Sequence, residues 1–315
     1  MSTVTKDKAF TTFEQQIQIL KDRNLKFGDE ETALKALQRC GYYNIINGYK
    51  DPYVEIVDGK ERYKDGTTFE QIFSLYKFDR EVRNRLMDSM LEFEENLRTA
   101  VAHTLAESFT EQQASYLDHK NFRLGKKRDG KYQLDEILTK FNKILKDDTQ
   151  PMKHYRNTYG NIPPWILLKG ASFGNLVNFI KLMKTPQKER IISLIYDMPL
   201  SLVQTTPQIK ELFMDTLFVC LDYRNRSAHG GRIYNFETKS TFRYTPLLHS
   251  QMQITPADYR RGKGKTGLIA LYNALGWIDN KSPAIRLEVA INYFLEEHCN
   301  IYPDDRAYLE YYIKL

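Results

Sequence analysis

The clearest pattern in the chain runs from Thr68 to about Phe109, where apolar residues fall at positions 72, 75, 82, 86, 90, 93, 97, 101 and 105, each three, four or seven from the next. That spacing lines one helix face, and neither glycine nor proline interrupts it. It predicts a single helix capped by Thr68, on the order of 60 Å long and so the spine of the fold, with or without a kink. A second long helix is predicted from Thr206-Pro207, with threonine as cap and proline in the first turn, to Gly230-Gly231. Its stripe Ile209, Phe213, Leu217, Cys220 faces a core, and Arg224 continues that line where the pattern asks for an apolar group.

Shorter signals surround these two. Thr12 is placed to cap a helix carrying Phe13, Ile17 and Leu20, and Asp29 one carrying Leu34, Leu37 and Cys40 that ends by Gly41. Gly41 to Tyr49 is aromatic and punctuated by glycine, and Asp51-Pro52 through Asp58-Gly59 reads as at most a short hairpin. Leu134, Ile137, Leu138, Phe141 and Leu145 mark an amphipathic helix, and Pro163-Pro164 and Ser172-Phe-Gly174 punctuate helices around Trp165–Leu168 and Leu176–Met183. Beyond residue 240 the pattern restarts, with helices around Leu268–Leu275 and Pro283–Glu297. The expectation is an all-α bundle on two long helices: a helical segment over 1–64, the bundle over 65–239 and a helical subdomain or cover over 240–315.

Composition narrows the class. With 315 residues and 42% hydrophobic content the chain can bury a sizeable core without staples. Cys40, Cys220 and Cys299 are odd in number, widely spaced and form no Cys-x-x-Cys, so neither a disulfide framework nor a zinc site is expected. No apolar run reaches the ~20 residues of a membrane span, and Met1–Lys8 has no signal-peptide core. A soluble cytoplasmic protein with no membrane partner, no metal and no cofactor is the expectation. The 46 basic against 40 acidic side chains, net +6, tilt the partner toward a polyanion. Two basic, glycine-containing stretches are candidate RNA contacts, Lys126, Lys127 and Arg128 in one and Arg260, Arg261, Lys263 and Lys265 in the other. The plainer alternative for each is a solvated or mobile loop. The 21 tyrosines suit base stacking, and suit ordinary half-buried packing better.

Candidate chemistry concentrates in Leu221 to Asn235, at the end of the second long helix. Arg224 offers a fixed fork of donors for a phosphate, and His229 is the side chain whose ordinary pKa lies nearest neutrality. The pair suits RNA cleavage, because RNA carries its own nucleophile. A protein need only deprotonate the 2′-hydroxyl, protonate the departing 5′-oxygen and stabilise the crowded phosphorane, none of which requires a metal. Both residues would also sit in the last helical turn, whose carbonyl ends favour cations. A spacing of five residues nevertheless puts two side chains roughly 140° apart on a straight helix. Unwinding at Gly230-Gly231, or a two-fold dimer that pairs Arg224 of one chain with His229 of another, would bring them together; the shared cleft of a homodimer is the favoured expectation.

Arg224-Asn225-Arg-Ser-Ala-His229 resembles the R-x4-6-H signature of HEPN ribonucleases, including the polar residue after the arginine. The wider run Arg224 to Asn235 resembles the Abi_2 (AbiD/AbiF-like) abortive-infection family. So do Gly41-Tyr-Tyr with Ile46-Asn-Gly-Tyr49, Leu75 to Arg80 with Arg83, and Pro163-Pro-Trp165 with Ser172-Phe-Gly174. The likeness covers roughly residues 12 to 235. It implies a HEPN-like dimeric helical RNase acting in antiphage defence and leaving 2′,3′-cyclic phosphate and 5′-hydroxyl ends, with Arg224, His229 and Asn225 at the active site. It also implies a structured small RNA as a potential inhibitory partner. Where this family often has two adjacent histidines, this chain has His229-Gly230. Arg232 and Asn235 read as supporting groups that position phosphate or bond between helices. Asp79, Arg80 and Arg83 read as braces of the first long helix.

A second R-x4-H, Arg98 to His103, lies mid-helix with no glycine break and reads as coincidence, or as support for the site from behind. Two other functions compete with the nuclease: a noncatalytic module holding a structured small RNA, and nucleotide transfer onto a tyrosine near the motif, Tyr223 or Tyr234.

Overall fold

The computed structural model describes residues 10–313; Met1–Lys8, read above for a signal peptide, lies outside them. The fold is all-α. Helices of eight residues or more are numbered along the chain: α1 Phe13–Asp22, α2 Glu30–Cys40, α3 Phe69–Phe109, α4 Gln133–Leu145, α5 Met152–Tyr159, α6 Phe173–Leu182, α7 Thr185–Tyr196, α8 Pro207–Ala228, α9 Leu268–Leu275, α10 Ser282–Ile301 and α11 Arg306–Ile313.

Local chemistry explains most of the boundaries. Thr12 and Gln15 form a reciprocal capping box at α1, and Asp29 accepts from the Glu31 and Thr32 amides at α2. At α3 the Gln71 amide donates to Thr68 Oγ1 at 3.1 Å. The helix then runs unbroken for 41 residues, and all nine positions of its predicted stripe are fully buried. Pro207 does open α8, but Thr206 makes no side-chain cap bond, contrary to expectation.

Two Asp-Gly pairs make the only sheet among the described residues. Asp58-Gly59 joins β1 Val54–Val57 to β2 Lys60–Tyr63, and Asp129-Gly130 joins β3 Lys127–Arg128 to β4 Lys131–Tyr132. All four turn residues have positive φ, between 46° and 81°, as a two-residue hairpin turn requires. The first basic stretch is therefore a small hairpin where an open loop was expected.

The chain divides into two compact units. One comprises the described residues up to Val82 together with Asn292–Tyr311. It is tied together by the Asp305 carboxylate, which accepts from Tyr53 (2.6 Å) and Gln71 (3.0 Å) and pairs with buried His298 (2.9 Å). The other comprises Arg83–Ile291, resuming at Tyr312. In it α8 packs against α6, α7 and α9. α6 buries Phe173, Leu176, Val177, Phe179, Ile180 and Leu182, with Phe173 edge-on to Phe93 of α3, and leaves Asn175, Asn178 and Lys181 on its other face. Cys40, Cys220 and Cys299 are all free, and burial pushes the Cys220 thiol far up. No helix among the described residues is long and apolar enough to cross a membrane.

Phe93→Ala should destabilise the fold by about 3–5 kcal/mol through loss of transfer energy and a residual cavity. Leu91→Ala, at a side chain 53% exposed on the same helix, should cost under ~0.5 kcal/mol. Urea denaturation of the two variants checks the assignment of the stripe.

Candidate active site

The end of α8 is shaped by its glycines. His229 is the C-cap, with φ −95° and ψ 13°, and Gly230 follows in the left-handed region at φ +68°. The Gly230 amide donates to Ser227 O (3.0 Å) and the Gly231 amide to Arg226 O (2.9 Å). This is a Schellman closure, which satisfies the last carbonyls and turns the chain sharply. A Cβ on Gly230 would meet nothing within 4 Å, whereas one on Gly231 would run into the Arg226 side chain.

The chain after the turn folds back along the helix. Arg226 Nε donates to Arg232 O at 3.1 Å, and its guanidinium lies 5.3 Å over the Phe236 ring. Tyr223 packs edge-on against the same ring, its hydroxyl donating to Phe236 O at 3.3 Å. Buried Arg83, on α3, reaches across to donate to Gly231 O in a long bond of 3.4 Å. Two arginines thus hold the turn, one local and one from the other long helix. The bracing role expected of Arg83 extends beyond its own helix to the residue two past His229. Asp79 instead accepts from Tyr49 (2.6 Å), and Arg80 pairs with Glu81 (2.9 Å).

Arg224 and His229 lie in different surroundings. The buried face of α8 passes through Cys220, Tyr223 and Ser227, leaving Arg224 half-buried at its margin. Arg224 Nε and Ser227 Oγ, three residues apart, are buried and lack hydrogen-bond partners among the described residues. Beside Arg224 is buried Glu94 of α3, whose carboxyl is pushed up by burial, against the pull of Arg98 and Arg224. Glu94 is paired with Arg98, which also donates to Ala171 O at 2.8 Å. His229 and Asn225 are exposed, and their side chains make no hydrogen bond among the described residues. Among the described residues no hydrogen bond joins the Arg224 side chain to that of His229.

Arg232 and Asn235 are half-buried just beyond the turn, Arg232 with its guanidinium 5.6 Å over Tyr234. Tyr223 and Tyr234 are both buried, which gives no support to nucleotide transfer onto either. The second R-x4-H splits as its helical geometry demands: Arg98 goes to Glu94, while His103 is exposed on another face, 3.9 Å from Glu107.

The two basic stretches differ. Lys126, Lys127 and Arg128 stand exposed on the hairpin, and Lys127 lies over Tyr132. In the second stretch Asp258 pairs with Arg261 (2.7 Å) and lies 3.7 Å from Lys263, its pKa held at about 2 first by the Thr255 hydroxyl. Lys265 covers Tyr259 at 5.0 Å. That stretch is a capped turn in which one carboxylate offsets part of the charge of four cations. Among the described residues no cluster of three or more His, Cys, Asp or Glu side chains could hold a metal.

Sequence reasoning missed Glu94 and Arg226. Glu94 had a readable signal, since it falls on the α3 stripe between Met90 and Leu97, where a carboxylate is out of place.

A family model described as Abi-like protein, Abi_2, matches residues 35–235 and so spans both α3 and the Arg224–Asn235 segment. The chain belongs to this family of abortive-infection proteins. No curated protein and no solved structure matches it.

Gly230→Ala should cost about 1 kcal/mol of stability, all of it backbone strain in the left-handed region, since a methyl group has open space there. A shift in the urea midpoint measures it, and an unchanged midpoint would mean the turn is held otherwise.

Proposed function

We propose that this abortive-infection protein is a metal-independent RNA endonuclease of the HEPN type, with Arg224 and His229 as its catalytic residues and Asn225 beside them. The observation that carries the reading is a half-buried guanidinium with an unsatisfied Nε, on the same helix end as an exposed imidazole bonded to nothing among the described residues. Buried donors are almost always satisfied, and an exception in a charged setting marks a place where a ligand completes the bonding. A phosphodiester oxygen is the acceptor that a guanidinium fork fits.

In the reaction His229 takes the proton of the ribose 2′-hydroxyl as that oxygen attacks phosphorus. Arg224 stabilises the charge on the phosphorane. The bond from phosphorus to the 5′-oxygen then breaks, and His229 returns the proton to that oxygen. The products are a 2′,3′-cyclic phosphate and a 5′-hydroxyl. Because Arg224 points inward and His229 outward on one chain, the competent site is shared between two copies about a two-fold axis. Arg83 and Arg226, by fixing the turn, position His229. Activity is confined to infection by restraint of the enzyme, for which a structured small RNA is the partner of choice.

The other reading is a noncatalytic module that holds such an RNA, and it draws on the same lack of a hydrogen bond between Arg224 and His229. New 5′-hydroxyl ends discriminate the two. His229→Ala should abolish cleavage and toxicity while leaving the melting temperature and most RNA affinity in place; undiminished cleavage by a folded variant would refute the nuclease. Cleavage should also persist in excess EDTA, and a strict requirement for added magnesium would count against it.

A further inference from the structure

We propose that Arg123, Lys181, Lys184 and Lys188 form a phosphate-binding surface that takes the backbone of an RNA strand on its way to Arg224; the identity of the strand as substrate rests on the nuclease reading above.

Two chain segments distant in sequence build this surface. An isolated antiparallel bridge pairs Phe122 with Met183, and the Arg123 amide donates to Leu182 O at 2.8 Å. Arg123 is thereby set beside the end of α6 and the start of α7, where its guanidinium donates to Thr185 Oγ1 at 3.0 Å. Lys184 Nζ donates to Lys120 O at 2.7 Å, and Lys181 Nζ lies 5.5 Å over the Phe218 ring of α8. The Lys126–Arg128 hairpin adjoins the group. Gly125, at φ +74°, approaches the end of α6 so closely that a Cβ would stand 2.7 Å from Leu182 Cδ2.

The group gathers its cations without counter-charge. Several other basic side chains find carboxylates: Arg190 with Glu107, Lys210 with Glu189, Arg243 with Asp215, Arg306 with Glu296. Among the described residues none of Arg123, Lys181, Lys184 and Lys188 is in an ion pair, and the nearby Asp118 is taken by Lys120 at 2.9 Å. Lys188 is half-buried, and its pKa is lowered to about 8, first by burial and then by the charges of Arg123 and Lys181. Cations gathered against their mutual repulsion, one of them partly desolvated, are stabilised by an anion.

The charged heads spring from three places, the Phe122 segment, α6 and α7, an arrangement suited to successive phosphates. The surface also reaches α8, the helix that carries the candidate site. Phe218, beneath Lys181, precedes Arg224 by six residues, roughly 9 Å along the helix and about 120° around it. At the other end of α6, Gly174 packs against Leu221 of α8, and Lys140 Nζ donates to Asn175 Oδ1 at 3.1 Å.

The test measures binding apart from cleavage, by fluorescence anisotropy of a labelled 20-nucleotide mixed-sequence RNA with the full chain carrying His229→Ala. Adding Arg123→Gln or Lys188→Gln should each weaken binding about 3–10-fold near physiological salt, whatever the RNA sequence, and lower the log–log salt slope by about 1. Lys188→Arg should restore it, and Lys35→Gln should change nothing. In the otherwise unaltered chain a limiting acylating reagent should modify Lys188 ahead of exposed lysines, with RNA protecting it. Unchanged affinity and slope in the Arg123, Lys181 and Lys188 triple glutamine variant would overturn the proposal, as would polyglutamate binding that depends on Lys188 while RNA binding does not. RNA held through these residues without any new ends under any condition would sustain the surface and remove the nuclease. Cleavage with an unaltered KM in the triple variant would do the reverse.

Discussion

A straight helix cannot aim two side chains five residues apart at the same point, and that constraint shapes everything at the end of α8. Arg224 sits at the edge of the buried face, against Glu94, while His229 stands in solvent at the C-cap. The paired glycines do not bring the two together; they end the helix in a tight closure and send the chain back over Tyr223. The histidine is presented outward on a braced turn. A turn so braced loses little entropy when it engages a second surface, which is how a half-site on each of two copies can make a precise whole.

Charge in the second unit is divided between what is satisfied and what is not. Arg98 gives one terminal nitrogen to Glu94 and Ala171, a structural use for the arginine of the second arginine-histidine pair on α3. Its Nε, like that of Arg224, is nonetheless buried without a partner among the described residues. Glu94 in turn lies close enough to Arg224 to feel its charge without removing the unsatisfied Nε. A neighbouring carboxylate of this kind holds a guanidinium in place yet leaves it donors for a phosphate. The two basic regions differ as well: one holds a carboxylate, Asp258, that pairs with Arg261 and lies near Lys263, whereas Lys188 beside α6 feels the charges of Arg123 and Lys181.

Much of this was legible in the sequence because it depends on local rules. The stripe from 72 to 105 gave α3, Thr12, Asp29 and Thr68 gave three helix starts, and Asp58-Gly59 gave a hairpin. The identical Asp-Gly signal at 129–130 went unread because the charges around it drew attention to a loop. Pro207 marked the start of α8 correctly, but Thr206 before it makes no side-chain cap bond. At the site, Arg224 and His229 could be singled out by type and position. Their partners could not: Arg83 is 148 residues from Gly231, and Arg123 is 62 residues from Thr185 of α7. Such contacts follow from tertiary packing, and no periodicity announces them.

The central claim is that one chain's guanidinium and another's imidazole share a scissile phosphodiester, and mixing two inactive proteins tests it directly. Arg224→Ala and His229→Ala are each purified, unfolded and refolded together in equal amounts, and RNA cleavage to 5′-hydroxyl ends is measured. Random pairing would give mixed dimers in half of the molecules, each with one intact site of two, so about a quarter of wild-type activity should return. A mixture no more active than its separate components would contradict the shared site.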